Sequence, residues 1–188
     1  MRLICAGLLV LTVGAQAHGI DVPGTASVRD KGIVDAIVWL DAPGAREATI
    51  RQTAVLDQRH LSFFPRVLAV RVGTTVEFPN NDRVFHDVFS FRDGKKFELG
   101  LYPVGAVKHL PFDRPGLSRV FCNIHPAMAA YIMVVDTPHF AVSDRLGRFT
   151  IVEIPAGTYT YRAWRPGGEI VTGSTAVRAG ASLDVIWP

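Results

Sequence analysis

The sequence predicts an all-β protein with a sandwich or barrel in the middle of the chain and a second small β-domain. Short runs rich in β-branched and aromatic residues recur along the chain, and the 17 glycines and 12 prolines are spread between them, as expected of many strands joined by turns. No long stretch combines an apolar period of 3.6 residues with helix caps. The 188 residues suffice for one medium domain or two small ones, and 48% of them are apolar, which is enough to fill a core.

The middle of the chain carries the clearest strand signals. Its apolar or alternating runs are separated by turn residues such as Gly73 and by the loop residues Asn80-Asn81-Asp82. Strands are predicted at residues 67–72, 74–78, 84–91, 119–121, which leads into Cys122, and 131–135. Strands at such close spacing predict a sandwich or a barrel.

The two ends of the chain carry a second β pattern. After Pro138 the predicted order is strand, turn, strand, turn, strand, with turn residues within 143–147 and 154–157. Near the start of the chain, apolar runs at residues 26–28 and 36–40 flank a turn at Asp30-Lys31-Gly32. We therefore expect a second small β-domain.

Residues 1–17 are predicted to be a secretory signal peptide. Arg2 supplies the positive start, residues 3–14 are a short apolar run, and Ala15-Gln16-Ala17 fits the rule for a cleavage site. The run is too short to span a bilayer, and no later segment is long and apolar enough to do so. The expected location is the periplasm.

The charge of the chain is mild. The formal net charge is +3, and the longest basic run is Lys95-Lys96. Binding to nucleic acid through its backbone needs a basic stripe, which this sequence lacks. We therefore expect no nucleic-acid partner.

Cys122 is the cysteine that the predicted exported protein would retain. Of the two cysteines, Cys5 lies in the predicted signal peptide, so Cys122 would be alone in the exported protein and could not form an internal disulfide. A bound metal ion would protect such a thiol.

The segment that follows Cys122 supports a metal site. Cys122, His125 and Met128 place a thiolate, an imidazole and a thioether within seven residues, and His86 supplies a second imidazole from an earlier strand. A trigonal His₂Cys set with a weak axial Met is typical of the type 1, or blue, copper site of electron-transfer proteins. We predict one copper ion at these four residues.

Each of the four predicted ligands could instead be an ordinary structural residue. This alternative has most weight for Met128, because a methionine near a loop is often a core side chain.

Zinc competes for the same donors, although affinities generally favour copper and a thioether suits copper better. A thiol hydrolase based on Cys122 and His125 is disfavoured, since the two residues are too close in sequence to orient freely and no orienting partner is evident.

At these residues the chain resembles the cupredoxins. The short Cys-x-x-His-x-x-Met loop is similar to that of amicyanin, and residues 96–103 and 112–116 resemble a bacterial group named methylamine-utilisation or plastocyanin-like proteins. The resemblance covers residues 53–137 and implies a Greek-key sandwich. It also implies a carrier that is not an enzyme, with transient redox protein partners docking near His125, beside Pro126 and small apolar residues.

One position departs from the cupredoxin pattern. The residue after the first histidine ligand is usually Asn in amicyanin-like sites, where its side chain ties the strand to the Cys loop, and here it is Asp87. An aspartate accepts hydrogen bonds but cannot donate as an amide does. Its charge is expected to favour Cu(II).

The ends of the chain resemble a transthyretin-like or carboxypeptidase-regulatory-like β-sandwich. Residues 143–149 and 154–159 carry this resemblance, and residues 26–40 look like the hairpin that precedes such a segment in the family. We expect residues 24–42 and 138–188 to form this sandwich, with the cupredoxin unit inserted between them.

Two other functions are compatible with parts of this sequence. A copper storage or delivery module would use the same four ligands without rapid redox cycling. An adhesion or carbohydrate-binding protein would depend on the terminal sandwich, with Trp39, Trp164 and Trp187 as a glycan platform, although we expect these side chains to pack in the core.

Overall fold

The computed structural model describes residues 19–41, 52–91 and 93–188, and in these ranges it consists of strands, turns and loops without a helix. The all-β prediction is thereby confirmed for the described residues. The predicted signal peptide at residues 1–17 lies outside them. Within the described ranges, no helix has the length and apolar character needed to cross a lipid bilayer.

The strands of the described residues are numbered in chain order. They are β1 (Ile20–Val28), β2 (Lys31–Gly32), β3 (Ile37–Leu40), β4 (Thr53–Val55), β5 (Asp57–Arg59), β6 (Ser62–Phe64), β7 (Val67–Arg71), β8 (Thr74–Pro79), β9 (His86–Ser90), β10 (Phe97–Tyr102), β11 (Val107–Phe112), β12 (Gly116–Cys122), β13 (Ala129–Val135), β14 (Phe140–Val142), β15 (Arg148–Ile154), β16 (Gly157–Trp164), β17 (Val171–Val177) and β18 (Leu183–Trp187).

Two sheets combine strands from both ends of the chain. In the first, β1 lies between β15 and β18 and also pairs with β2. In the second, the strand order is β14-β3-β16-β17. Apolar side chains of both sheets, among them Ala26, Val38, Ile151 and Val185, share one buried cluster. The first and last segments of the chain are thus held together by a common core.

Two further sheets are made by the middle of the chain. One has the strand order β10-β9-β12-β13-β7, and the other has the order β11-β8-β4. In β8 the buried side chains alternate with half-buried ones, which is the pattern of a strand that covers a core with one face. Phe78, Val88, Cys122 and Ile132 belong to the core shared by these sheets. The β5–β6 hairpin lies beside them, since Gln58 bridges to Asn80.

Strands β3 and β13 are buried on both faces. Ala130, Ile132 and Val134 of β13 belong to the middle core, whereas Met133 and Val135 pack in a third cluster together with Ile37, Trp39 and Trp164. A strand with two buried faces reads as a continuous apolar run, which explains the strong β signal of residues 131–135. The outer face of the five-stranded sheet therefore packs against the β3–β16 face.

The domain boundaries stay a prediction, and the strand pairings support it. The strand that contains Val28 pairs with β15 and β18, and the strand that contains Val38 pairs with β14 and β16. All four partners belong to residues 138–188. The strands from β4 to β13 fall within residues 53–137 and pair among themselves.

The three tryptophans are core residues. Trp39, Trp164 and Trp187 are 7%, 5% and 3% exposed. A glycan platform needs ring faces open to solvent, so these side chains do not form one, and the expectation of core packing is confirmed.

Substituting Gly147 tests the packing between the two ends of the chain. Gly147 has a φ of +78°, and an added Cβ would lie 2.4 Å from the carbonyl oxygen of Ala26 in β1. We expect Gly147→Ala to lower the free energy of unfolding by about 2–5 kcal/mol, through the left-handed backbone and the clash together. Urea unfolding followed by circular dichroism measures this loss.

Gly180 provides the matched control. It has a similar φ of +76°, but an added Cβ would meet no atom within 4 Å. Gly180→Ala is therefore expected to cost only the backbone term of about 1–2 kcal/mol. Equal losses for the two variants would contradict the close packing of Gly147 on β1.

Candidate metal centre

Strand alternation brings an imidazole and a thiol into the same core. In β9 the side chains of His86 and Val88 are buried, while Asp87 between them is half-exposed. Cys122, at the end of β12, lies opposite Val88 in the antiparallel pairing of the two strands. Because side chains alternate between the faces of a strand, His86 and Cys122 both point inward. They are 0% and 3% exposed.

The loop between β12 and β13 carries the other two predicted ligands. It starts with Asn123, whose backbone N–H donates to the carbonyl oxygen of Asp87 over 2.9 Å, so that the β9–β12 ladder continues past Cys122. The N–H of Met128 donates to the carbonyl oxygen of His125 over 2.9 Å. This tight turn returns the chain to β13 and brings the His125 ring back to Cys122.

Three donor atoms converge at the end of this core. The Sγ atom of Cys122 lies 3.7 Å from Nδ1 of His86 and 3.6 Å from Nδ1 of His125, and the two Nδ1 atoms lie 3.2 Å apart. We call these three atoms the donor triangle. Among the described residues, it is the one group of at least three His, Cys, Asp or Glu side chains with such convergence.

The donor triangle fits a first-row transition metal ion. A point at its centre is about 2.0 Å from each of the three atoms. Metal–nitrogen distances of about 2.0–2.1 Å and metal–sulfur distances of about 2.3 Å are usual for zinc, an ion of similar size. Two imidazoles and a thiolate are a mixed set of intermediate and soft donors, which favours copper or zinc over magnesium or calcium.

Met128 is buried at the end of the loop between β12 and β13. Its side chain is 1% exposed and belongs to the same apolar core as Cys122. Burial is expected both of an axial ligand and of a core methionine. The assignment of Met128 as the fourth ligand therefore stays a prediction.

Asp82 contacts the outer nitrogen of His86. Its Oδ2 atom lies 3.2 Å from Nε2 of His86, and its side chain is 10% exposed. The same carboxylate accepts hydrogen bonds from the backbone N–H groups of Leu61 (2.6 Å) and Arg83 (2.8 Å). The sequence analysis missed this role, because Asn80-Asn81-Asp82 carries only the signal of a loop.

Burial and hydrogen bonding set the protonation of this pair. Burial lowers the pKa of His86 and outweighs the opposite effect of the hydrogen bond to Asp82. Burial acts to raise the pKa of Asp82, but the hydrogen bonds from Leu61, Arg83 and His86 outweigh it, so the pKa of that carboxyl lies below its ordinary value. At neutral pH a neutral imidazole therefore faces an ionised carboxylate.

Asp87 is linked to the Cys loop by a side-chain hydrogen bond. The Nδ2 atom of Asn123 donates to Oδ2 of Asp87 over 3.2 Å. The donor is thus an amide on the loop between β12 and β13, and the acceptor is a carboxylate on β9. The aspartate therefore does not abolish the link between strand and loop. It retains the link with Asn123 as the donor and places a carboxylate at the position that follows His86.

The surface beside His125 is apolar. His125 is half-buried, and the neighbouring Pro126, Ala127 and Ala129 are exposed. Two larger side chains next to the ligands in sequence are also exposed, Phe85 at 51% and Ile124 at 46%. The described histidines outside the donor triangle, His60, His109 and His139, do not join such a cluster.

Comparison with known proteins gives structural likeness alone. Neither a family model nor a curated protein matches the sequence. Among solved structures, a copper-containing nitrite reductase (NirK) from Thermus scotoductus is 30% identical with a TM-score of 0.43, over 51% of this chain and 25% of that one. The chain thus spans about a quarter of the length of the reductase.

Two smaller proteins are matched over nearly their whole length. A purple cupredoxin from Nitrosopumilus maritimus is 23% identical with a TM-score of 0.40, over 45% of this chain and 99% of that one. A reduced amicyanin variant is 20% identical with a TM-score of 0.40, over 52% of this chain and 99% of that one. The structures to which this chain is similar thus include cupredoxins, and the likeness extends over about half of this chain.

Proposed function

We propose that this protein is an exported type 1 copper protein that carries single electrons between redox partners. The proposal rests on one observation, the convergence of the Cys122 thiol with the His86 and His125 imidazoles at one point that suits a metal ion. We assign His86, Cys122 and His125 as the trigonal ligands of one copper ion, and Met128 as its weak axial ligand.

The proposed ligands favour a carrier over an enzyme. Catalytic metal sites keep an open coordination position for water or substrate. The three atoms of the donor triangle and the buried Met128 would together occupy the positions around one ion. When bound, copper supplies a one-electron couple at this place. We therefore propose that the chain itself is not an enzyme.

The protein holds the proposed ligands in fixed positions and excludes water from part of their surroundings. The β9–β12 pairing holds His86 and Cys122, and the turn from His125 to Met128 holds the remaining two. A set of ligands that barely moves between the two oxidation states keeps the reorganisation energy small. The apolar core around Cys122 and Met128 excludes water from one side of the site.

The His125 side is the proposed docking surface for redox partners. The exposed Pro126, Ala127 and Ala129, extended by Phe85 and Ile124, give an apolar rim beside the imidazole. Redox encounters bury little surface, because the partners must separate quickly. A small apolar rim suits such a transient contact.

The proposal also includes a location for the protein and a division of the chain into domains. The leader pattern of residues 1–17 supports a periplasmic location. We propose residues 53–137 as the copper domain. We propose residues 24–42 and 138–188 as a carboxypeptidase-regulatory-like sandwich that the copper domain interrupts, and the pairing of β1 and β3 with strands of the last segment supports this division.

Cys122→Ser tests the copper site. The purified protein, loaded with Cu(II), is expected to show an intense thiolate-to-copper charge-transfer band in the visible spectrum, the type 1 signature in electron paramagnetic resonance, and reversible voltammetry. The variant is expected to lose the band, since a serine oxygen cannot replace the thiolate. A colourless wild type would contradict the proposal. Tight binding of Cu(I) without a blue Cu(II) form would indicate storage or delivery instead.

Met128→Leu tests the axial ligand. The exchange conserves volume, so its cost in the free energy of unfolding is expected to stay below about 1.5 kcal/mol. Loss of a donor that stabilises Cu(II) should raise the reduction potential while the blue band persists. Met133→Leu is the matched control, because Met133 is 4% exposed but packs in the third cluster. Equal potentials for both variants would show that Met128 is a core residue only.

Asp87→Asn tests the charge near the metal. Removing the carboxylate is expected to raise the reduction potential, because a negative charge beside the ion favours Cu(II) over Cu(I). Asp184→Asn, in β18 of the sheet that contains β1, removes an equal charge away from the site and should leave the potential unchanged. Voltammetry measures the reduction potential of both variants. The absence of an upward shift for Asp87→Asn would count against an effect of the Asp87 charge on the metal.

A further inference from the structure

We propose that Asp82 is a positioning residue of the metal centre, which fixes the His86 ring with its proton on Nε2 and its Nδ1 lone pair directed at the donor triangle. This inference rests on the proposed function, because it gives the Nδ1 atom a metal ion to bind. It concerns a residue that neither the ligand motif nor strand alternation singles out.

The carboxylate of Asp82 is itself held in place. The backbone N–H of Leu61, in the turn between β5 and β6, donates to the same oxygen that faces His86, over 2.6 Å. The backbone N–H of Arg83 donates to the other oxygen over 2.8 Å. Rotation of the carboxylate would break both bonds, so its position relative to the His86 ring is fixed.

A buried asparagine anchors the loop that carries Asp82. Asn80 is 0% exposed, and its Oδ1 atom accepts a hydrogen bond from the backbone N–H of Asp82 over 3.1 Å. Its Nδ2 atom donates to the carbonyl oxygen of Val84 over 2.8 Å. The loop between β8 and β9 is thus closed around one side chain, and this places Asp82 beside the first ligand.

The acceptor character of the carboxylate determines the tautomer of the ring. Both oxygens of Asp82 already accept hydrogen bonds from backbone N–H groups, so the contact of 3.2 Å with His86 is a hydrogen bond in which Nε2 carries the proton and donates it. The neutral ring then has its lone pair on Nδ1, which faces Cys122 and His125. In the other tautomer, Nδ1 would carry a proton into the donor triangle and Nε2 would face the carboxylate with a lone pair.

A carboxylate on the outer nitrogen of a ligating histidine has a known physical consequence. It orients the ring and makes the ligand more basic, which strengthens metal binding. The basic ligand and the added negative charge both favour Cu(II). We therefore expect Asp82 to lower the reduction potential and to tighten the binding of divalent ions.

Nitrogen-15 NMR of the wild-type protein tests the tautomer without any substitution. In the metal-free protein and in the zinc-loaded protein, the His86 ring should show a protected proton on Nε2 and an unprotonated Nδ1. A proton on Nδ1 in the metal-free protein, or zinc bound through Nε2, would overturn the inference. This measurement does not depend on copper chemistry.

Asp82→Asn and Asp57→Asn form a matched pair for the potential. Both remove one carboxylate with little exposure, 10% for Asp82 and 14% for Asp57. Asp57 lies in β5 and accepts a hydrogen bond from Asn81, and none of its contacts involves His86. We expect Asp82→Asn to raise the reduction potential of the copper-loaded protein clearly more than Asp57→Asn does. Equal shifts would mean a general charge effect and would refute a positioning role.

Zinc titration of Asp82→Ala supplies a third readout. The affinity for zinc is expected to fall by about 10–100-fold, as for other carboxylates that support a metal-bound histidine. Circular dichroism and the melting temperature of the metal-free variant show whether it is folded. An unchanged affinity in a folded variant would refute the inference.

The two proposals fail in different ways. If the wild type gives no blue Cu(II) form, the proposed function fails, and NMR of the zinc-loaded protein still decides the role of Asp82. If the wild type is blue but the Asp82 and Asp57 variants behave alike, the positioning role fails and the copper site stands.

Discussion

The register between β9 and β12 is the constraint on which the candidate metal centre depends. It sets Cys122 opposite Val88, so that the thiol shares the inner face of the sheet with His86, two residues earlier on β9. Because side chains alternate with a period of two, a slip of one residue would turn the thiol to the outer face. The hydrogen bond from Asn123 to the Asp87 carbonyl extends the ladder past Cys122 and opposes such a slip. The position of Cys122 relative to His86 therefore follows from ordinary sheet hydrogen bonds.

Much of the fold and of the candidate site could be predicted from local sequence patterns. The spacing of Cys122 and His125 and the alternation around His86 indicate the three residues of the donor triangle, because both patterns act over a few residues. Asp82 could not be predicted in this way. Its contact with His86 depends on the amide of Leu61, which comes from a hairpin earlier in the chain, and an Asn-Asn-Asp triplet has the same composition as any polar turn.

The length of β1 is determined by packing and not by local sequence signals. The pair Pro23-Gly24 is a turn signal, and the predicted strand covers only residues 26–28, yet the observed strand runs from Ile20 to Val28. A Cβ at position 24 would lie 2.4 Å from the ring of Phe149, so the glycine serves close packing within the sheet. In β17 the side chains are mostly exposed or half-exposed and lack a clear apolar face, which hid this strand from the sequence analysis.

Strand β13 connects the loop between β12 and β13 to the sheet that contains β3 and β16. This strand begins directly after Met128 and is buried on both faces, one in the core that contains Cys122 and the other against Trp39 and Trp164. The loop is thus anchored at its start by the pairing of β12 with β9, and at its end by a strand packed between two cores. In the proposed copper protein, any movement of the proposed ligands on a change of oxidation state would have to disturb one of these packed elements. Close packing resists such movement, and a ligand set that resists movement is what fast electron transfer requires.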